Sequence, residues 1–324
     1  NLVGSGISAS IHGILAEKRS SVNISVTDPY FLDRNLVAGA DIFLIQTNYL
    51  GTQAYDERRA GFALRAGYEF NENLRQVLSY SLVNRKVFNV YNTSSAFVLN
   101  EQGTSVLSQF SQVLTLDHRD SRIAPKSGFV IELGTDFAGA GGDVAYVRTN
   151  LSGAYYYSLE RWLGDPEWGI KIGATAGYLA SMGKRERIIG RFFLGGENLR
   201  GFQVGGAGPH ETVSGDPLGG RMIWTQTSEL RFPLPVPADL GLTGRAFVDV
   251  GGLTNADFKN FGSCLVNNST PCQIAASSAP RVGAGVGVSW RTQFGLINID
   301  LTPFVVKQPH DQTQVFRFGF GTRF

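Results

Sequence analysis

Charged residues are scarce in this chain of 324 residues, in which only 17% are Asp, Glu, Lys or Arg. No run approaches the roughly 20 consecutive apolar residues that a membrane-spanning helix needs, which excludes a helical membrane protein. The formal net charge of +2 gives no reason to expect nucleic acid as a partner. Intrinsic disorder is excluded because aromatic and β-branched residues are plentiful. With 40 glycines, the composition favours an all-β protein.

Residues that support catalysis or metal binding are also missing. The four histidines, His12, His118, His210 and His310, stand at no metal-ligand spacing from one another. No G-x-S-x-G nucleophile motif occurs, and no glycine string is followed by a phosphate-binding lysine and a helical pattern. The sequence therefore predicts no enzyme, no metal site and no small-molecule cofactor.

Period-two alternation is the dominant pattern, and it indicates strands because successive side chains of a strand point to opposite faces. Near the end of the chain, Phe316, Phe318 and Phe320 alternate with Arg317, Gly319 and Gly321. Many such segments reach the ~9–11 residues that a tilted strand needs to cross a bilayer. Fourteen segments show the pattern: 3–15, 20–28, 37–49, 58–70, 74–88, 105–119, 127–138, 144–159, 167–181, 221–234, 242–251, 280–291, 295–306 and 313–324.

One face of each segment is apolar and the other carries Gly, Ser and charged residues, which would not fill a soluble core but suit a wet lumen. We therefore expect a transmembrane antiparallel β-barrel of about fourteen strands, forming one domain over residues 1–324. The joins alternate in length, as in bacterial outer-membrane barrels. Joins near 70–73, 163–166 and 291–294 are short, whereas those near 89–104, 182–220 and 252–279 are long.

The longest join, 182–220, is rich in aromatic residues and glycine, so we expect it to fold back and pack inside the lumen. Its Arg200 then needs partners, since a guanidinium removed from water is costly unless it is paired. Alternation places Glu229 and Asp249 on the lumen faces of two neighbouring segments. Two carboxylates on adjacent strands can hold one arginine, although ordinary solvated lumen charges would give the same pattern.

Four motifs in order make the chain recognisable. Gly195-Gly196 precedes Arg200-Gly201-Phe202, and Ser228 to Pro233, Phe247 to Gly251 and Gln314 to Phe324 follow. Together they resemble the bacterial outer-membrane barrel assembly factors, the BamA-like insertases, most clearly over residues 186–324. The resemblance implies that Arg200 anchors the lumen loop through Glu229 and Asp249. It also implies a barrel of sixteen strands preceded by periplasmic domains, so two strands and those domains are expected to be absent here.

The family resemblance implies a bacterial outer-membrane location and a function in inserting other barrel proteins. Unfolded β-barrel clients, assembly-machinery lipoproteins and membrane lipid are the implied partners. A client strand would pair at a lateral seam whose lip is the last strand, with Phe316, Phe318, Gly319, Phe320, Gly321 and the terminal Phe324. Glycine weakens a strand and suits an opening seam, although it also relieves crowding. A polypeptide secretion transporter of the same family and a passive diffusion porin are the alternatives.

The two cysteines, Cys264 and Cys272, lie in a polar segment of an expected external loop. A disulfide between them fits an oxidising compartment, and two free thiols are the alternative. The spacing alone does not establish the geometry that the bond requires.

Overall fold

In the part of the chain that the structure describes, fourteen strands form one antiparallel sheet in which the spatial order follows the order along the chain. The computed structural model describes residues 6–16, 19–48, 55–183, 187–254, 265–266, 270–271, 273–292 and 295–320. The sheet strands are β1 (Ser8–Leu15), β2 (Arg19–Asp28), β3 (Leu36–Asn48), β4 (Asp56–Glu69), β5 (Leu74–Phe88), β6 (Gly103–Asp117), β7 (Gly128–Gly142), β8 (Tyr146–Ser158), β9 (Gly169–Ser181), β10 (Met222–Pro233), β11 (Leu242–Thr254), β12 (Arg281–Thr292), β13 (Gly295–Val306) and β14 (Phe316–Phe320). The fourteen-stranded all-β prediction is confirmed.

The remaining elements are short. The helices are α1 (Ala96–Leu99) and α2 (Glu160–Leu163), with 3-10 turns at Phe31–Asp33, Ile188–Gly190 and Ala238–Leu240. Three two-residue ladders join Gly201–Phe202 to Thr313–Gln314, His210–Glu211 to Ile274–Ala275, and Leu265–Val266 to Thr270–Pro271. In the described ranges, no helix has the length and apolar character needed to cross a membrane.

Apolar side chains cover the outer face of the sheet, while charged side chains lie inside. Ile42, Leu64 and Phe304 are 64%, 52% and 73% exposed, whereas Arg245 and Asp300 are only 5% and 1% exposed. A protein that folds in water rarely buries charges and keeps large apolar residues mostly inside. The reversed distribution is that of a barrel whose outer face meets lipid and whose lumen is polar.

Successive connections fall at opposite ends of the sheet because neighbouring strands run antiparallel. The connections over 70–73 and 234–241 lie at one end, and those over 89–102, 182–221 and 255–280 lie at the other. At the end with the long connections, a buried cluster of Phe97, Ile188 and Leu218 packs the 182–221 connection against the segment that contains α1. The longest connection is therefore folded against its neighbours.

The sheet curves around a cavity of about 1240 Å³. Its lining includes Arg75 on β5, Lys171 on β9 and Asn298 on β13. Glu197 and Arg200 of the 182–220 connection line the same cavity, so this connection enters the interior that the strands enclose. The name "lumen loop" is used for residues 187–220 below.

Candidate functional site

Arg200, near the middle of the lumen loop, is 3% exposed and contacts two carboxylates. Its Nε and Nη2 donate to Oδ2 and Oδ1 of Asp249 at 2.7 and 2.8 Å, and its Nη1 donates to Oε2 of Glu229 at 2.9 Å. The backbone N–H of Arg200 also donates to Asp249 Oδ2 at 3.1 Å. The structure thus brings together the three charged residues that the sequence singled out.

The strand register explains how the two acids meet one arginine. In the antiparallel pair β10–β11, Asp249 lies opposite Thr227 and Glu229 lies opposite Phe247. The two acids are therefore two positions apart on the same face of the sheet, within reach of one guanidinium. The guanidinium carbon of Arg200 also lies 3.5 Å from the centroid of the Phe247 ring, which is a cation–π geometry.

Further charges continue this cluster across the sheet. Glu229 pairs with Arg231 at 3.2 Å and with Arg245 at 3.5 Å, and Arg245 pairs with Asp300 on β13 at 2.7 Å. Burial disfavours the charged form of Arg200, but hydrogen bonds to Asp249 and the charges of both acids outweigh it and hold the pKa above its usual range. Paired in this way, buried charges of both signs are tolerated inside the lumen.

Arg245, Phe247 and Asp300 are site residues that the sequence analysis missed. A usable signal existed for each, because alternation puts Arg245 and Phe247 on the lumen face with Asp249. Asp300 likewise stands between Ile299 and Leu301, which are 38% and 46% exposed. The sequence did not single out Asp300 because its partner, Arg245, lies two strands away. A local pattern does not predict contacts between such distant strands.

Glycines allow the loop to turn and to approach the sheet. Gly195 and Gly196 have φ values of +117° and +68°, a region that L side chains rarely adopt. Gly283 on β12 meets the backbone of the loop directly, since a Cβ there would collide with the carbonyl oxygen of Arg200. A side chain at position 283 would therefore push Arg200 away from its two acids.

The residues next to Arg200 bind the C-terminal part of the chain. Gly201 and Phe202 pair with Gln314 and Thr313 in a two-residue antiparallel ladder. Phe202 is 1% exposed and belongs to a buried cluster whose other members are Leu194, Leu199, Ala207, Ile223 and Leu253. The loop is therefore fixed by an apolar cluster and a short ladder as well as by its ion pairs.

This ladder corrects one predicted strand boundary. The sequence predicts a single strand over 313–324, but Thr313–Gln314 pairs with the lumen loop, and of the described residues of this segment only Phe316–Phe320 pairs with β13. The reason is that residues 313 and 314 bond to Gly201 and Phe202, which lie more than a hundred positions earlier. Alternation continues through the break, so the pattern does not reveal it.

The structure describes some of the residues that the sequence predicts at the seam. Phe316 and Phe318 are 58% and 61% exposed on the outer face, and a Cβ on Gly319 would lie no closer than 3.9 Å to Asn298. Phe320 ends β14, while Gly321 and Phe324 lie outside the described residues. In the described part of the chain, β14 pairs with β13 alone.

The predicted disulfide between Cys264 and Cys272 also lies outside the described residues. Among the described residues of this connection, Leu265 pairs with Pro271 and Val266 pairs with Thr270. The disulfide stays a prediction.

Comparison with known proteins identifies the relatives of this chain. The model of the Omp85 superfamily domain matches residues 1–324. The outer membrane protein assembly factor BamA of Neorickettsia risticii (strain Illinois) is 29% identical over 292 residues, covering 90% of this chain and 37% of that protein. The human sorting and assembly machinery component 50 homolog is 31% identical over 176 residues, covering 51% of this chain and 36% of that protein. The chain thus spans little more than a third of the length of these relatives.

Solved structures show the same fold. BamA from Haemophilus ducreyi lacking POTRA domains 1–3 superposes with a TM-score of 0.79 at 20% identity, covering 97% of this chain and 64% of that one. CdiB from Acinetobacter baumannii covers the same share of this chain with a TM-score of 0.56 and 12% identity. The overall fold therefore corresponds to a known barrel architecture.

Proposed function

Because the chain belongs to the Omp85 superfamily, with the BamA-like barrel fold, we propose that it assembles β-barrel proteins in the bacterial outer membrane. The relatives that bear on this are named as assembly factors, BamA in bacteria and the component 50 homologs in animals. Unfolded barrel proteins are the proposed clients. Assembly-machinery lipoproteins and membrane lipid are the proposed partners, and the proposed action is insertion rather than a chemical reaction.

The observation that carries this proposal is the BamA-like barrel fold with its loop anchored inside, in which Arg200 pairs with Glu229 and Asp249. The proposed seam lies along β14, whose described residues Phe316–Phe320 pair with β13 on one side. An unpaired edge is a template for another strand, and strand addition is a known mode of polypeptide recognition. We propose that a client strand pairs along this seam.

The lumen loop has the proposed role of an anchor that keeps the interior occupied. Arg200 holds it to β10 and β11, and Phe202 packs in a buried cluster, so the loop fills space that a diffusion porin keeps open. In planar bilayers, we expect the full-length protein to show only small and intermittent currents. A large steady conductance would support the porin alternative instead.

Site-specific photo-crosslinking tests the client seam. A photoreactive residue replaces Phe318 in the full-length protein, while a barrel client is stalled during assembly. We expect client adducts at position 318. The matched control is Phe110 on β6, whose side chain is also exposed, at 46%, but which lies far along the sheet from the seam.

Equal labelling at positions 318 and 110 would contradict the proposal. Adducts between a translocating soluble polypeptide and a photoreactive residue at the lumen position Lys171, with none at position 318, would favour the secretion transporter. Each arm uses the same protein, so the two functions are distinguished by where the adduct forms.

A further inference from the structure

Asp311, in the connection between β13 and β14, is 7% exposed and is contacted from three parts of the chain. Arg281 donates from Nε to Oδ2 at 3.0 Å and from Nη2 to Oδ1 at 3.2 Å. The N–H of Gln308 donates to Oδ2 at 2.7 Å, and the N–H of Gly208 in the lumen loop donates to Oδ1 at 3.3 Å. One carboxylate thus links the start of β12, the lumen loop and the approach to the last strand.

Arg281 is held on its other side as well. Its Nη1 donates to the carbonyl oxygens of Ser277 and Ala279, both at 2.7 Å, and the residue is only 1% exposed. Removing one member of such a buried pair leaves the other charge without its partner, which is strongly destabilising. The pair is therefore a rigid junction, unlike a surface ion pair.

Backbone bonds extend the junction toward the last strand. The N–H of Gln312 donates to the carbonyl of Gly206 at 2.7 Å, and the N–H of Gln203 donates to the carbonyl of Gln312 at 3.0 Å. Together with the ladder at Gly201 and Phe202, these bonds hold residues 311–314 against the lumen loop. The chain therefore leaves the lumen loop just before β14, and the carbonyl of Val315 already accepts from the N–H of Thr302 on β13 at 2.8 Å.

We propose that Arg281 and Asp311 are positioning residues that latch the last strand to the lumen loop, so that the seam opens only when residues 311–314 leave the loop. This proposal rests on the seam function proposed above and adds a control element to it. The Arg200 cluster holds the loop to β10 and β11. The latch formed by Arg281 and Asp311 holds the strand that borders the seam to that loop.

Hydrogen exchange of the full-length protein in lipid tests the latch with Asp311→Asn. This change keeps the size of the side chain but removes its charge and one acceptor oxygen. Because Arg281 is left buried without its charged partner, the segment should open roughly 100- to 1000-fold more often. We expect faster exchange of the amides of residues 203–208 and of 312–320 together, with no change at the β10 and β11 amides beside Arg200.

The matched control is Asp136→Asn, which removes a carboxylate paired with Arg148 at 2.7 Å between β7 and β8. It should leave both segments unchanged. Faster exchange confined to residues 308–311 in Asp311→Asn would overturn the latch, because it would show a local role only. If Asp311→Asn fails to fold, Arg281→Lys keeps the charge and loses the forked contact, and the same pair of segments must respond.

The latch and the client function fail separately in these experiments. Exchange is measured without client, so coupled opening in Asp311→Asn supports the latch even if Phe318 yields no client adducts. Where both hold, Asp311→Asn should increase the yield of client adducts at position 318 over the unaltered protein. An unchanged or lower yield with coupled exchange present would overturn control of the seam by the latch.

Discussion

Arg200 and Asp249 form a forked pair in which two guanidinium nitrogens meet the two oxygens of one carboxylate at 2.7 and 2.8 Å. Asp249→Asn removes the charge and one of the acceptors while Arg200 stays buried. Breaking a buried pair in this way costs about 3–5 kcal/mol. We expect the folded form to be lost at a lower temperature, measured by the heat-dependent shift of the folded band on a gel.

Asp41→Asn is the control for that experiment, because Asp41 forms a comparable pair with Arg65 at 2.8 Å on β3 and β4, where it is more exposed. Exposed pairs contribute only about 0–1 kcal/mol. If Asp249→Asn and Asp41→Asn lower the temperature at which the folded band is lost by the same amount, a special role for the buried pair is contradicted.

The ring of Phe247 should stabilise the Arg200 cation beyond its apolar contact. A desolvated cation–π contact contributes about 2 kcal/mol. A double-mutant cycle of Phe247→Leu and Arg200→Met, in which the second change removes the cation, isolates the interaction when read as unfolding free energy in denaturant. We expect a coupling energy above about 1 kcal/mol, and additive effects would show that the ring merely fills space.

Acid should loosen the loop near His210. Burial lowers the pKa of His210, and among the described residues its Nε2 is buried without a partner while its Nδ1 faces the carbonyl of Gly208 at 2.8 Å. The closed loop therefore keeps His210 neutral, while an opened loop takes up a proton below the ordinary pKa of about 6.5. Stability of the closed loop is full above that pH and falls as the pH drops through it.

Hydrogen exchange at residues 203–211, taken relative to the intrinsic amide exchange rate at each pH, should accordingly accelerate between about pH 7 and 5.5. Nearby Asp311 favours the proton and Arg281 opposes it, so both remain unaltered in the test. His210→Gln should abolish the acceleration, and His310→Gln, at an exposed position, should retain it. Persistence of the acid effect in His210→Gln would assign it to another group.

Glycine at position 319 should weaken the pairing of the last strand, although the site has room for a larger residue. A Cβ at this position has room, so Gly319→Ala should strengthen the pairing of β13 with β14 by about 0.5–1 kcal/mol. We expect slower exchange at residues 316–320 and slower client assembly. Gly134→Ala on β7, where a Cβ also has room, should leave assembly unchanged.

Thiol titration tests the predicted disulfide. Denatured, unreduced protein should show no reactive thiol, and reduced protein should show two, from Cys264 and Cys272. The reason is that a polar external loop in an oxidising compartment favours the bond. Two reactive thiols before reduction would show that the disulfide is absent.

Local sequence patterns were sufficient to predict the strands of the sheet and the two acids of the site. Alternation is a property of neighbouring residues, so it located all fourteen strands and put Glu229 and Asp249 on one face. It failed at Thr313 and Gln314, which alternate like a strand yet pair with the loop. The sequence did not identify Asp311 for the same reason. Nothing in the local pattern around a polar turn residue indicates a partner such as Arg281, thirty positions earlier.

The two ends of the lumen loop pack on the upstream residue Phe97 through Ile188 and Leu218, whereas the partners of Arg200, Gly201 and Gly208 lie downstream in the chain. Arg200 binds Glu229 and Asp249, Gly201 pairs with Gln314, and Gly208 binds Asp311. The middle of the loop therefore cannot complete its contacts before residues 311–314 are present. Closure of the lumen and placement of the strand that borders the seam thus depend on the same short segment.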